Sequence, residues 1–200
     1  MELRKIFIAC SMMLGLFVVS GCAASFPGKD LSNLDYNKLT VVEPKRPLFI
    51  SVSVYTRDDT INLGASAIFK EKLLRDLGAS NLFESVSSGE TNTGLQLKYN
   101  IKTDGTPAFV ARLAGMVSGL TFGLIPVHVT DEYFMSVEVW DHGKLLKKYD
   151  YENSTGTWLS LFMAPFGEKA NKVTDKIFDD MSIRAMSAIS SDKLLVTSTK

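Results

Sequence analysis

Residues 48–55 read LFISVSVY, and residues 95–103 read LQLKYNIKT. In both, apolar side chains alternate with small polar or charged ones and β-branched or aromatic residues are frequent, as in a strand buried on one face. Residues 56–60 supply a turn after the first strand, and Asp58, Asp59 or Thr60 is placed to cap a following helix. That helix, 61–77, sets Ala65, Ile68, Phe69, Leu73 and Leu77 on one face, with Lys70, Glu71, Lys72 and Arg75 largely elsewhere, and Gly78 ends it. Further out, 82–86 is a short strand, and 133–140 and 144–151 are two more, joined by Asp141-His142-Gly143 as a tight hairpin connection. A long helix over 168–189 carries Ala170, Val173, Ile177, Met181, Ala185 and Ala188 as one stripe. The order strand, helix, several antiparallel strands, helix predicts a single α+β domain over 47–190. It would hold an antiparallel sheet of about five strands with two helices packed on one face, and a polar tail would follow over 191–200.

Two segments stand outside this scheme. Residues 107–129 (PAFVARLAGMVSGLTFGLIPVHV) carry no charge between Leu113 and Val129, and small residues recur every fourth position at Ala111, Gly115, Gly119 and Gly123. On a helix this spacing makes a shallow groove that lets another backbone approach closely. In water the same glycines cost about 0.8–1 kcal/mol each relative to Ala. The second segment, 158–166 (WLSLFMAPF), is too rich in aromatic, Leu and Met residues for a routine exposed loop. Both leave the sheet on either side of the same hairpin and are expected at one end of the domain. Three readings stand: an apolar insertion packed into the core, a surface that contacts a membrane or a partner, or a membrane span. Pro126 and Arg112 oppose the span. Phe109, Leu113, Gly115, Gly119, Leu120, Phe122, Gly123, Trp158 and Phe162 form the candidate apolar contact surface.

The N-terminus reads as a secretory signal. Arg4 and Lys5 precede an uninterrupted apolar run over 6–19, and Ser20-Gly21 are small residues at a cut. Such a run is too short for a permanent span, which needs about 20 residues. Val19-Ser20-Gly21-Cys22 resembles the lipobox of bacterial lipoproteins. The resemblance implies cleavage between Gly21 and Cys22, a diacylglycerol on the Cys22 thiol, and an acyl group such as palmitate on the new amino terminus. The other cysteine, Cys10, lies in the segment that is removed, so no disulfide framework remains. Two or three acyl chains make a stable anchor. Ala23, and not Asp, follows the cysteine, which by the same resemblance implies an outer-membrane address facing the periplasm. Residues 22–46 are polar and turn-rich and read as a tether, or as a segment packed along the domain through Leu31, Leu34, Tyr36 and Leu39.

The chain carries 22 Lys and Arg against 22 Asp and Glu, interspersed, which offers no electrostatic footprint for nucleic acid. His128 and His142 stand alone, Asp58-Asp59 reads first as helix capping, and no phosphate loop or nucleophile elbow occurs. No catalytic residue, metal ligand or cofactor is expected. The lipobox, the strand and helix ending near Gly78-Ala79-Ser80-Asn81-Leu82-Phe83, and the run Leu120-Thr121-Phe122-Gly123-Leu124-Ile125-Pro126 before a hairpin resemble small α+β envelope lipoproteins that accompany transport or assembly systems. The resemblance implies an accessory or assembly factor that docks an envelope protein partner. The alternative is a carrier of a lipid or other hydrophobic ligand, with Phe109, Leu113, Leu120, Phe122, Trp158 and Phe162 lining a pocket.

Overall fold

The computed structural model describes residues 23–39, 41, 43–121, 124–160 and 167–195. Among them the elements run β1 Ala23–Pro27, β2 Pro47–Tyr55, α1 Leu63–Ala79, β3 Ser85–Ser88, β4 Leu95–Gly105, α2 Ala108–Leu120, β5 Val127–Asp141, β6 Lys144–Leu159 and α3 Ala170–Ser191. The fold is α+β, with a six-stranded sheet in the order β1-β6-β5-β4-β2-β3. The chain divides into two compact units. A smaller one draws on the described parts of 1–26, 106–130 and 155–173, and a larger one on those of 27–105, 131–154 and 174–200.

In the larger unit β2 runs parallel to both β3 and β4, and β4 runs antiparallel to β5. The expected antiparallel sheet of about five strands is therefore corrected to a mixed sheet of six. The cause is the crossover: α1 returns the chain so that β3 enters in the same direction as β2, and the connection over 89–94 leads back to β4 on the other edge of β2. Residues 23–27, whose sequence AASFP shows no apolar alternation, supply the additional strand.

Register explains how three separately alternating sequences share one core. Ile50 stands beside Leu97, and Leu97 beside Val139, so the apolar positions fall in phase. Leu48, Ile50, Leu97, Tyr99, Ile101, Met135, Val137 and Val139 are buried, together with Phe69, Leu73 and Leu77 of α1 and Ile177, Met181, Met186 and Ile189 of α3. The rings of Phe69 and Phe178 meet edge to face at 4.7 Å, and Tyr133 meets Phe178 at 5.1 Å.

The buried face of α1 differs from the sequence reading in one respect. Ile68 is 71% exposed, and Ser66 is buried. The Ser66 hydroxyl donates to the Asn62 carbonyl at 2.8 Å and accepts from Val54 N–H at 2.9 Å, closing the end of β2 against the helix. The cap is Asn62, whose side-chain oxygen accepts from Ala65 N–H at 3.0 Å. Asp58 instead accepts from the Thr56 hydroxyl within the turn, and Asp59 pairs with Lys102 at 2.6 Å.

Residues 30–36 of the polar segment lie along α3. The buried Asp180 carboxylate accepts from Ser32 N–H at 2.6 Å and from the Ser32 hydroxyl, and pairs with Arg184 at 2.8 Å. Arg184 also donates to the Asp30 carbonyl at 2.9 Å, and Tyr36 bonds Ser182 through the two hydroxyls at 2.7 Å.

In the smaller unit β1 is pinned on both sides. Ser25 N–H donates to the Glu168 carbonyl at 3.0 Å and Glu168 N–H to the Ser25 carbonyl at 3.3 Å. The Ser25 and Thr157 hydroxyls lie 2.8 Å apart, and Ala24 and Ser25 are buried. Close approach dictates the glycine at 167, where a Cβ would fall 2.3 Å from Ala24 Cβ and 2.6 Å from its Cα.

Candidate contact surface

The apolar insertion is clamped at its base. Thr106 N–H donates to the Thr130 carbonyl at 3.0 Å, the Thr106 hydroxyl donates to the same carbonyl at 2.8 Å, and Thr130 N–H donates back to that hydroxyl at 3.1 Å. Between these threonines the chain forms α2, which starts after Pro107, where a missing N–H costs nothing. The Thr121 hydroxyl turns back to the Val117 carbonyl at 2.9 Å and closes the helix. The Ser118 hydroxyl donates to the Leu159 carbonyl at 3.2 Å, so α2 and the start of the second apolar segment are brought together. Residues 127–129 and 158–159 extend β5 and β6.

The large side chains of α2 face outward. Phe109 is 71% exposed, Leu113 45% and Leu120 75%. Val110, Met116, Val117, Leu124 and Ile125 are exposed with them and extend the surface beyond the residues expected to form it. The missed signal was that Ala111 and Ser118, small residues seven apart, take the half-buried side and leave the bulky positions to solvent. At Gly115 and Gly119 an added Cβ would meet nothing within 4 Å, so the small-residue groove is open. Trp158 is half-buried and packs against the His128 ring at 4.6 Å, with the His128 ring over Gly156. Gly21, Cys22, Phe122, Gly123 and Phe162 lie outside the described residues.

Two grooves in the larger unit have a different character. One, of about 830 Å³, is lined by Leu34, Tyr36, Lys72, Asp76, Asp179 and Asp180, among others. Here burial, with Asp76 and Asp175 nearby, raises the Asp179 carboxyl despite its 2.7 Å ion pair to Lys72. The other, of about 540 Å³, is lined by Tyr55, Asn100, Lys102, Phe134, Ser136 and Tyr151, among others. Among the described residues no group of three or more His, Cys, Asp or Glu side chains is placed to hold a metal ion. His142 occupies the hairpin turn at φ 50, and its Nδ1 lies 3.0 Å from Asp141. Among the described residues no helix is long and apolar enough to cross a membrane.

No protein-family model and no curated protein matches the sequence. Solved structures with partial likeness include a neuraminyllactose-binding hemagglutinin homolog from Helicobacter pylori, at 9% identity and a TM-score of 0.41, covering 78% of this chain and 86% of that one. A Xanthomonas campestris protein of the DUF330 family follows at 9% identity and 0.34, covering 78% and 90%. Rare lipoprotein B from Shewanella oneidensis shares 11% identity at 0.27, covering 72% and 92%.

Proposed function

We propose that this chain is an envelope lipoprotein, anchored through Cys22 in the outer membrane and facing the periplasm, that serves as an accessory or assembly factor by docking through the apolar surface of α2. The observation that carries the docking is the exposure of Phe109, Met116 and Leu120 on a helix whose only charged residue is Arg112. A contiguous apolar patch of this kind marks a contact surface. A carrier of a hydrophobic ligand would turn these side chains toward an enclosed cavity. Phe109, Leu113 and Leu120 are open to solvent instead, which favours docking.

A photoreactive phenylalanine analogue in place of Leu120, compared with one in place of Lys70 on α1, tests both parts in intact cells. The expected result is a chain that fractionates with the outer membrane and forms adducts from position 120 only. A chain absent from the membrane fraction would refute the anchor. Equal or absent adducts at the two positions would refute the docking surface.

A further inference from the structure

We infer that what α2 docks on is the acyl-chain region of the leaflet that holds the anchor, in place of a protein at that surface, with α2 lying flat in the bilayer interface; this rests on the anchored-lipoprotein reading. Connectivity carries the argument. Cys22 is followed immediately by β1, and β1 is packed, with Ala24 0% and Ser25 2% exposed and Ser25 tied to Glu168 and Thr157. Residues 23–26 of β1 and all of α2 belong to the same compact unit. A body assembled from these segments has a radius of gyration of about 10 Å, and Cys22 Cα is about 3.8 Å from that of Ala23. No free tether stands between the lipid and the unit that carries α2.

The chemistry of α2 suits that place. A helix of 13 residues is about 20 Å long, short of the roughly 30 Å hydrocarbon layer, so it can lie on the bilayer and not cross it. From Phe109 through Ile125 there is no acidic residue, and the single cation, Arg112, can extend its stem along the apolar surface and keep its head at the phosphates. Leu124 and Ile125 continue the exposed apolar surface past the helix end. The open positions at Gly115 and Gly119 show that, among the described residues, no segment of this chain occupies the groove. Lipid tails need no matching groove. With the acyl chains as one attachment and α2 as a second, the smaller unit is held in a fixed orientation on the membrane.

The mature lipidated chain has no free thiol, since Cys10 leaves with the signal and Cys22 is acylated. A cysteine introduced by Leu120→Cys is then unique, and position 120 is exposed enough for the fold to tolerate it. A polarity-sensitive fluorophore placed there is read in vesicles of phosphatidylethanolamine and phosphatidylglycerol, with Lys172→Cys, an exposed position of the same smaller unit, as the control site. The expected result at 120 is a several-fold gain in emission, quenching by phospholipids spin-labelled on the acyl chain, and protection from aqueous iodide, with the reverse at 172. Matching behaviour at the two sites would overturn the inference. A probe shielded in native envelope membranes but wet in the vesicles would also overturn it while leaving docking to a protein intact. A probe wet in both would sink both readings. Shielding that disappears when chains are diluted to isolation on separate vesicles would assign the surface to a second copy of this chain and overturn the bilayer inference.

Discussion

Arg46 and Asp141 form an ion pair with side chains only 10% and 12% exposed, and Arg46→Met breaks it. The guanidinium grips both carboxylate oxygens, at 2.6 and 3.2 Å, from the residue before β2 to the last residue of β5, with β4 between those strands. Removing one partner of a fully buried pair costs about 3–5 kcal/mol, and these two side chains fall a little short of full burial. His142, 3.0 Å from Asp141, remains as a weaker partner, so the lower end of that range, about 3 kcal/mol, is expected. For a protein of this size that corresponds to a drop of roughly 6–12 °C in Tm.

The cycle of Arg46→Met, Asp141→Asn and the double variant, followed by urea denaturation of the anchored protein in micelles, isolates the pair from the side effects of each change. pH adds a second check. Burial pushes the Asp141 carboxyl up, but the Arg46 hydrogen bonds and charge outweigh it and hold it below the usual carboxylate range. A depressed folded-state value means the pair stabilises fully above the unfolded-state value of about 3.9 and is lost as pH falls through the folded one. Coupling should therefore be full at neutral pH and fade in strong acid. A coupling below about 0.5 kcal/mol, the scale of an exposed pair, would refute the reasoning, as would a coupling that ignores pH.

Gly167→Ala would drive a Cβ to within 2.9 Å of three Ala24 atoms, two of them backbone, and should destabilise the β1 attachment by about 1–3 kcal/mol. Hydrogen exchange at Ser25 and Glu168 should accelerate while Leu97 and Val137 stay slow; unchanged exchange at Ser25 would show that β1 tolerates the side chain. Asp180→Ala removes the acceptor for both Ser32 donors and the partner of Arg184, and should cost about 2–3 kcal/mol. Its signature is faster tryptic cleavage at Lys38 and Lys45, and an unaltered cleavage rate would mean that Asp180 does not hold the 30–36 segment.

The central strands and the long helix were legible because their apolar residues face one core. Leu95, Leu97, Tyr99 and Ile101 alternate on the core face of β4, and Ile177, Met181 and Ala185 repeat every fourth residue on the core stripe of α3, whereas the burial of Gln96 on the other face of β4, and of Asp180 and Ser182 beside residues 30–36, left no apolar pattern to read. β1 was not legible: Ala23-Ala24-Ser25-Phe26-Pro27 has no apolar periodicity, and its strand character comes from pairing with β6, with Ser25 also tied to Glu168 and Thr157, all far away in sequence. The expected end of α1 near Gly78 was close to the observed one, but its cap and buried face were set by Asn62 and Ser66, polar residues satisfied by the helix's own first turn and by Val54.

The contact surface divides the same way. The sequence by itself marked 107–129 as too apolar and too glycine-rich for an ordinary connection, because composition and spacing are local properties. It also determined the pattern around Cys22 that resembles a lipid-attachment site, since such patterns are read along the extended chain. Only the tertiary structure decided that the sheet is mixed, because strand direction depends on where a crossover returns the chain. Only the tertiary structure decided, too, that Ala111 and Ser118 are half-buried while Phe109 and Leu120 meet solvent. A helix that is apolar nearly all round has no pattern to choose its buried side, and the choice falls to the groups it happens to meet, here the Leu159 carbonyl that accepts from Ser118.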